Sequence, residues 1–243
     1  MTSNSKYIML CFLTLIVNAC SIDTVNVQGS DVITTKSLNV SDFSHLEVNG
    51  NFNVYVKFSQ TETSIDIEAN SNLHKYITTV VENDKLNIRV QNNIFVDDNS
   101  TLNIYITTKA LTDFKAVGSS NIYLQSPLVT DNAKIKLLGD CLFLGELAIN
   151  NTLQIDASSD STVDLLGNVN ILEADLVANT KLLNYNLQVE HLKLKMFADC
   201  MANITVNSSI SIEAMVDCIL YYKGNATILD NDLSINSKLI KVD

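Results

Sequence analysis

The chain of 243 residues has no tryptophan, one proline (Pro127), seven glycines and a single arginine (Arg89). Its formal charge of −11 is spread along the chain without a basic run, which excludes a nucleic-acid surface or a polybasic membrane patch. No glycine-rich phosphate loop occurs, and no cofactor is expected. The three histidines (His45, His74 and His191) are scattered, and nothing sets a serine or cysteine beside one as a nucleophile pair. Long apolar runs are also lacking. Tyr7 to Val17 is an apolar run of eleven residues, too short to span a bilayer comfortably and of the length of a signal-peptide core. No stretch keeps a helical period.

What the chain has is Asn, Asp, Ser and Thr interleaved with Ile, Leu and Val, a mixture that favours strands and turns. At the N-terminus, Lys6 gives a positive flank to the apolar run, and Val17-Asn18-Ala19-Cys20 resembles the bacterial lipobox. That signal ends in a cysteine whose thiol carries the lipid. The expectation is therefore a lipoprotein signal peptide over 1–20, lipidation at Cys20, and a tether over 21–33. Cys141, Cys200 and Cys218 then remain, an odd number that argues against a complete disulfide framework.

Internal repetition is the strongest signal. Ser120, Cys141, Ser161, Thr180, Cys200 and Cys218 follow one another at 21, 20, 19, 20 and 18 residues. The residue before each is Ser119, Asp140, Asp160, Asn179, Asp199 and Asp217, and two before stand Gly118, Gly139, Ser159, Ala178, Ala198 and Val216. Positions four and six before, and two after, are mostly apolar. One copy shows the pattern: Leu192, Leu194, Met196, Ala198, Cys200, Ala202 and Ile204 alternate with mainly polar neighbours. Period two means a strand with one buried face. Strands recurring about every 20 residues with equivalent columns predict a right-handed parallel β-helix over 111–243. An antiparallel sandwich would not need equivalent positions to share residue type. The section before, "HLEVNGNFNVYVKFSQ", "TSIDIEAN", "DKLNIRVQ" and "TLNIYITT", alternates too, with turn residues between the runs. It predicts an N-terminal β-meander over 34–110 that caps the first coil, so that 34–243 form a single domain.

The order "FSHLEVNGNFNVYVKF", "IDIEAN", "NLHKYITTVVENDKLNIRV" and "LNIYITTKALTDFKAVGSSNIYL" resembles the putative auto-transporter adhesin head domain, the GIN-type DUF2807 family. Its members are mostly bacterial lipoproteins or secreted proteins. The resemblance spans about 37–243 and implies a β-helical fold, a place in the cell envelope and an adhesive role, with no catalytic residues to carry over. "GSSN" at 118–121 matches the family's small-residue turn, whereas the later copies, with "DC" and "NT", depart from it.

Two constellations could carry chemistry. The three Asp-Cys pairs invite a metal site, but Cys141 and Cys200 would lie three coils apart, roughly 14 Å, and could not share one ion. Cys200 and Cys218 would sit on neighbouring coils, within reach of a disulfide though poorly oriented for one. The simpler reading is small residues packed inward beside Ser and Thr. Asp140, Asp160, Asp199 and Asp217, with Asn179 among them, would form an outward acidic column. Calcium could relieve it, but hydrogen bonding of the backbone at a bend needs no ion.

The expected function is that of a non-catalytic, lipid-anchored envelope protein, at the outer membrane, presenting a β-helical face to a glycan or protein at the cell surface. The membrane is reached through the lipid only, and no nucleic acid is expected. The alternatives are a carbohydrate-active enzyme on the same scaffold, or an envelope sensor or assembly component.

Overall fold

A computed structural model describes residues 24–40 and 43–243. Cys20 and the signal segment lie outside the described residues. In the N-terminal section the strands are β1 (Val25–Val27), β2 (Ile33–Leu38), β3 (His45–Gly50), β4 (Asn53–Phe58), β5 (Ser64–Asn70), β6 (Ile77–Glu82), β7 (Lys85–Val90), β8 (Ile94–Val96) and β9 (Leu102–Thr108). A 3-10 turn, His74–Tyr76, precedes β6. The repeats supply β10 (Asp113–Gly118), β11 (Asn121–Leu124), β12 (Leu128–Gly139), β13 (Leu142–Ser158), β14 (Thr162–Val177), β15 (Lys181–Leu183), β16 (Leu187–Phe197), β17 (Met201–Met215), β18 (Ile219–Lys223), β19 (Thr227–Ser234) and β20 (Lys238–Lys241).

The strands form a parallel β-solenoid of about six turns. Each coil stacks on the last through parallel ladders. Ile135, Ile155, Ala174, Leu194 and Ile212 are registered neighbours on successive coils, and all lie inside. The long strands bend once, where the ladder shifts by a residue, as between Ile149 and Thr152 or Val189 and His191. The bend gives two broad outer faces. Face 1 carries β7, β3, β10 and the C-terminal halves of β12, β13, β14, β16 and β17. Face 2 carries β9, β4, β11, the starts of β13, β14 and β17, and β15, β18 and β20. The inner sides of both are apolar, with Phe114 and Phe143 fully buried in edge-to-face contact, centroids 5.2 Å apart.

The N-terminal section caps this stack, but its strands do not pair in chain order. β3 pairs in parallel with both β7 and β10, and β4 with both β9 and β11. Residues 45–58 therefore lie between 85–108 and 113–124. β6 runs antiparallel to β7, and β5 runs antiparallel between β2 and β9. These antiparallel strands are the cap. β2, the outermost, is almost wholly exposed and carries Thr34, Thr35, Lys36 and Ser37, polar residues that blunt a free edge. Part of the stretch expected as a tether is docked on this cap. β1 pairs in parallel with β8, and the Asn70 side-chain amide donates to the Ser30 carbonyl at 2.6 Å.

At the other end β19 and β20 each pair on one side only. There two of the inward columns turn polar, Asn231 continuing the column of Ile212 and Lys241 that of Tyr222, while Leu233 and Leu239 still cover the core. A polar last coil is how a solenoid limits further stacking.

Candidate functional site

The six repeat-marking residues all point inward: Ser120, Ser161, Thr180 and Cys218 are fully buried, and Cys141 and Cys200 nearly so. Their shared chemistry is a small side chain with a hydrogen on its tip. Thr180 Oγ1 donates to the Val177 carbonyl at 2.7 Å, and Ser161 Oγ to that of Ser158 at 2.8 Å. Cys200 Sγ reaches the Phe197 carbonyl at 3.4 Å and Cys218 Sγ that of Met215 at 3.3 Å. Each of these four side chains thus closes the corner three residues behind it, whereas Ser120 Oγ accepts from the Phe52 N–H at 3.5 Å. The three cysteines are free thiols. Burial pushes the Cys200 thiol up to about 11 and raises that of Cys141, so both stay protonated donors at neutral pH.

The corner itself comes in two forms, which is the departure seen between "GSSN" and the later copies. Early coils turn on one glycine each: Gly50, Gly118 and Gly139 have φ of +146°, +84° and +118°. Later coils turn on two successive left-handed residues: Ser159-Asp160, Ala178-Asn179, Ala198-Asp199, Val216-Asp217 and Ile235-Asn236. Asp and Asn tolerate that conformation, which accounts for Asp160, Asn179, Asp199 and Asp217, whereas Asp140 follows the glycine that makes its corner. The backbone ladder continues through these turns, as in Asn179 N–H to the Ala198 carbonyl at 2.9 Å. Asp140, Asp160, Asp199 and Asp217 are exposed. Asparagines break up the charge: Asn179 donates to Asp160, and Asn236 to Asp217 at 3.1 Å. Among the described residues no group of three or more His, Cys, Asp or Glu side chains is placed to hold a metal.

Face 1 is a ladder of ion pairs. Lys134 approaches Asp156 at 3.4 Å, Lys193 pairs with Glu173 at 2.9 Å, and Lys195 approaches Glu213 at 3.7 Å. Glu47 accepts from Lys85 at 2.7 Å and Lys115 at 2.9 Å, so it ties the out-of-order coil to both neighbours. Burial raises its carboxyl, but the two lysines outweigh this and hold it below the usual carboxylate range. A depressed carboxyl stabilises the fold above its unfolded pKa and loses that contribution as pH falls through the folded value. Glu47→Gln is therefore expected to cost about 1 kcal/mol at neutral pH. Urea unfolding of variant and wild type should converge as pH falls through and below the carboxylate range.

A shallow groove of about 410 Å³ opens on this face beside His45, Asp113, Lys134, Gln154 and Glu173. The histidines have serine neighbours after all. Ser44 Oγ lies 2.9 Å from His45 Nδ1, and Ser209 Oγ 2.9 Å from His191 Nδ1. Ser44 also donates to the Asp84 carboxylate, and His45 Nε2 stands 3.8 Å from Asp113, too far for a hydrogen bond. His74 is buried and bonded to Thr34 at 3.0 Å.

Face 2 differs in kind. Tyr105, Tyr55 and Tyr123 stack on three successive coils, with centroids 5.1 and 5.2 Å apart and planes within 17° of parallel. Beside them runs an asparagine ladder. Asn121 donates to Asn53 at 3.0 Å, Asn53 to Asn103 at 3.4 Å, and Asn103 to Glu68 at 2.8 Å. The 20-residue repetition from Ser120 onward does not reveal this platform, because two of its coils are out of chain order. Its signal was present as "NVYV" at 53–56, "NIYI" at 103–106 and "NIYL" at 121–124.

The family model described as "Putative auto-transporter adhesin, head GIN domain" matches residues 42–226. The chain belongs to this family. No match was found among curated proteins. A crystal structure of a "putative adhesin" from Bacteroides fragilis NCTC 9343 is 21% identical, with TM-score 0.76, covering 89% of this chain and 100% of the other. Another, from Parabacteroides merdae ATCC 43184, is 19% identical with TM-score 0.69, covering 90% and 99%. A third, a "putative lipid binding protein" from Parabacteroides distasonis ATCC 8503, is 16% identical with TM-score 0.64, covering 90% and 100%. These likenesses show the fold of this GIN domain. The adhesin descriptions name no enzymatic activity, and they fit an adhesin-like binding module of the cell envelope or surface. Among the described residues no helix is long and apolar enough to cross a membrane.

Proposed function

We propose that the chain is a non-catalytic adhesive lipoprotein. Cys20 carries the lipid after signal removal, and the GIN domain stands off the outer membrane to present its β-helical surface to a glycan or protein. The observation that supports this most is the contrast between the two faces. Face 1 pairs much of its charge through ion pairs, whereas three coils of face 2 offer rigid aromatic and amide groups on a flat sheet. Flat, preformed surfaces on a stiff scaffold suit binding, because little side-chain entropy is lost on contact.

Expression of the full chain in a Gram-negative host tests both parts. Cells carrying the wild type should adhere to surfaces coated with mucin or matrix protein. Cys20→Ala should move the protein from the membrane to the soluble fraction and abolish cell adhesion. Unchanged membrane retention of Cys20→Ala would overturn the lipid anchor. Absence of adhesion by wild-type cells to every coat would overturn the adhesive reading.

A further inference from the structure

The tyrosine and asparagine ladders of face 2 repeat one pair of groups at one spacing. Asn53 and Tyr55 on β4, Asn103 and Tyr105 on β9, and Asn121 and Tyr123 on β11 are registered residue for residue. A ligand that meets all three pairs in the same way must itself be a repeating polymer with a repeat near the 5.1–5.2 Å ring spacing. An extended polysaccharide advances by a similar distance per sugar and presents hydroxyl groups on every sugar.

The groups available suit hydroxyls. Each asparagine amide spends one N–H on its ladder and keeps a second. Tyr105 donates to Glu68 at 3.2 Å, while the hydroxyls of Tyr55 and Tyr123 have no hydrogen-bond partner among the described residues and are not sealed from solvent. Burial raises the Tyr123 phenol, then the neighbouring Tyr55. Burial and Glu68 raise that of Tyr105. Tyr105 and Tyr123 therefore keep their protons across physiological pH. Stacking fixes the rings, so binding orders no new side chain. Charge selects among polymers. Glu68 lies on the ladder, Asp66 pairs opposite Tyr105, and Lys57 is the nearest cation on β4, in a chain of net charge −11. A uronate or sulfated chain would meet these carboxylates, and an uncharged one would not.

We propose that these six residues form a binding site for a linear, uncharged polysaccharide that lies along the solenoid axis, one sugar per coil. The proposal rests on the adhesive reading above and names its ligand class and its face. No covalent step is involved.

The test uses the full-length protein in detergent and calorimetric titration with cellohexaose, xylohexaose and chitohexaose, their disaccharides, and polygalacturonate. At least one neutral hexaose should bind, with the disaccharide much weaker and polygalacturonate not bound. The double variant Tyr55→Phe/Tyr123→Phe keeps the stack and removes two donors. It should bind about tenfold or more weakly at an unchanged melting temperature. Asn53→Ala should also weaken binding, while Lys195→Ala on face 1 should leave it intact. Failure of every neutral hexaose to bind would overturn the proposal, as would preference for polygalacturonate or wild-type affinity in the double variant. The cell-adhesion assay separates the two readings. If cells displaying the double variant adhere as wild type does, this site falls and the adhesive module stands; if wild-type cells fail to adhere, the module falls as well.

Discussion

Gly139→Ala is expected to destabilise the fold by about 3 kcal/mol or more, read as a lowered urea midpoint with an unchanged slope. Two effects add. Gly139 sits at φ +118°, where an L side chain is strained. A Cβ built there would also lie 2.3 Å from the Gly118 carbonyl oxygen of the coil below. That atom is backbone held in a ladder, so it cannot swing aside as a side-chain tip would. Gly50, Gly118 and Gly139 are directly registered, and the same close approach recurs between Gly118 and Gly50. The glycine column is thus a seam where coils touch backbone to backbone. An unaltered midpoint for Gly139→Ala would mean that the coils separate there at little cost.

Phe143→Ala should cost about 3–5 kcal/mol in the same measurement. Phe143 is fully buried and meets Phe114 edge to face, with planes at 79°. Truncation removes the apolar area, the aromatic contact and the filling of the coil interior. The neighbours cannot collapse into the void, because each is pinned by ladders on both sides. Phe143→Leu, which keeps most of the volume, should cost less than half as much. Equal losses for the two variants would show that the ring contact rather than the cavity dominates.

The solenoid could be read in the sequence from a few columns. Ser120, Cys141, Ser161, Thr180, Cys200 and Cys218 recur at one coil length, and alternation around each shows which side is buried. That worked because a parallel stack repeats its environment every turn, so equivalent positions face the same demand. The Asp-Cys pairs lose their appearance of chemistry for the same reason. The cysteine is one of three side-chain types that can donate to the carbonyl three residues back, and the aspartate stands at the corner, at positive φ in Asp199 and Asp217 and directly after Gly139 in Asp140. Whether a corner turns on one glycine or on two left-handed residues was not legible. Ala178 and Val216 give no sign of a positive φ, and only the ladder that runs through the turn holds them there.

The N-terminal section was less readable. Its strands were visible by alternation, but alternation says nothing about partners. Placing 45–58 between 85–108 and 113–124 depends on long-range parallel pairing, whose energy lies in burial of Val48 against Ile88 and Ala116, and of Val54 against Ile104 and Ile122. That rearrangement also assembles the tyrosine platform, since Tyr105 precedes Tyr123 in the chain yet lies on the far side of Tyr55. The amino-acid sequence by itself determined the all-β class, the coil length, the inward columns and the family, because these follow from local periodicity repeated many times. The tertiary structure alone decided the order of the first coils, the two kinds of corner, and which outer face carries the tyrosine and asparagine ladders. Those depend on which distant strands meet, and period-two alternation is the same whichever partner a strand takes.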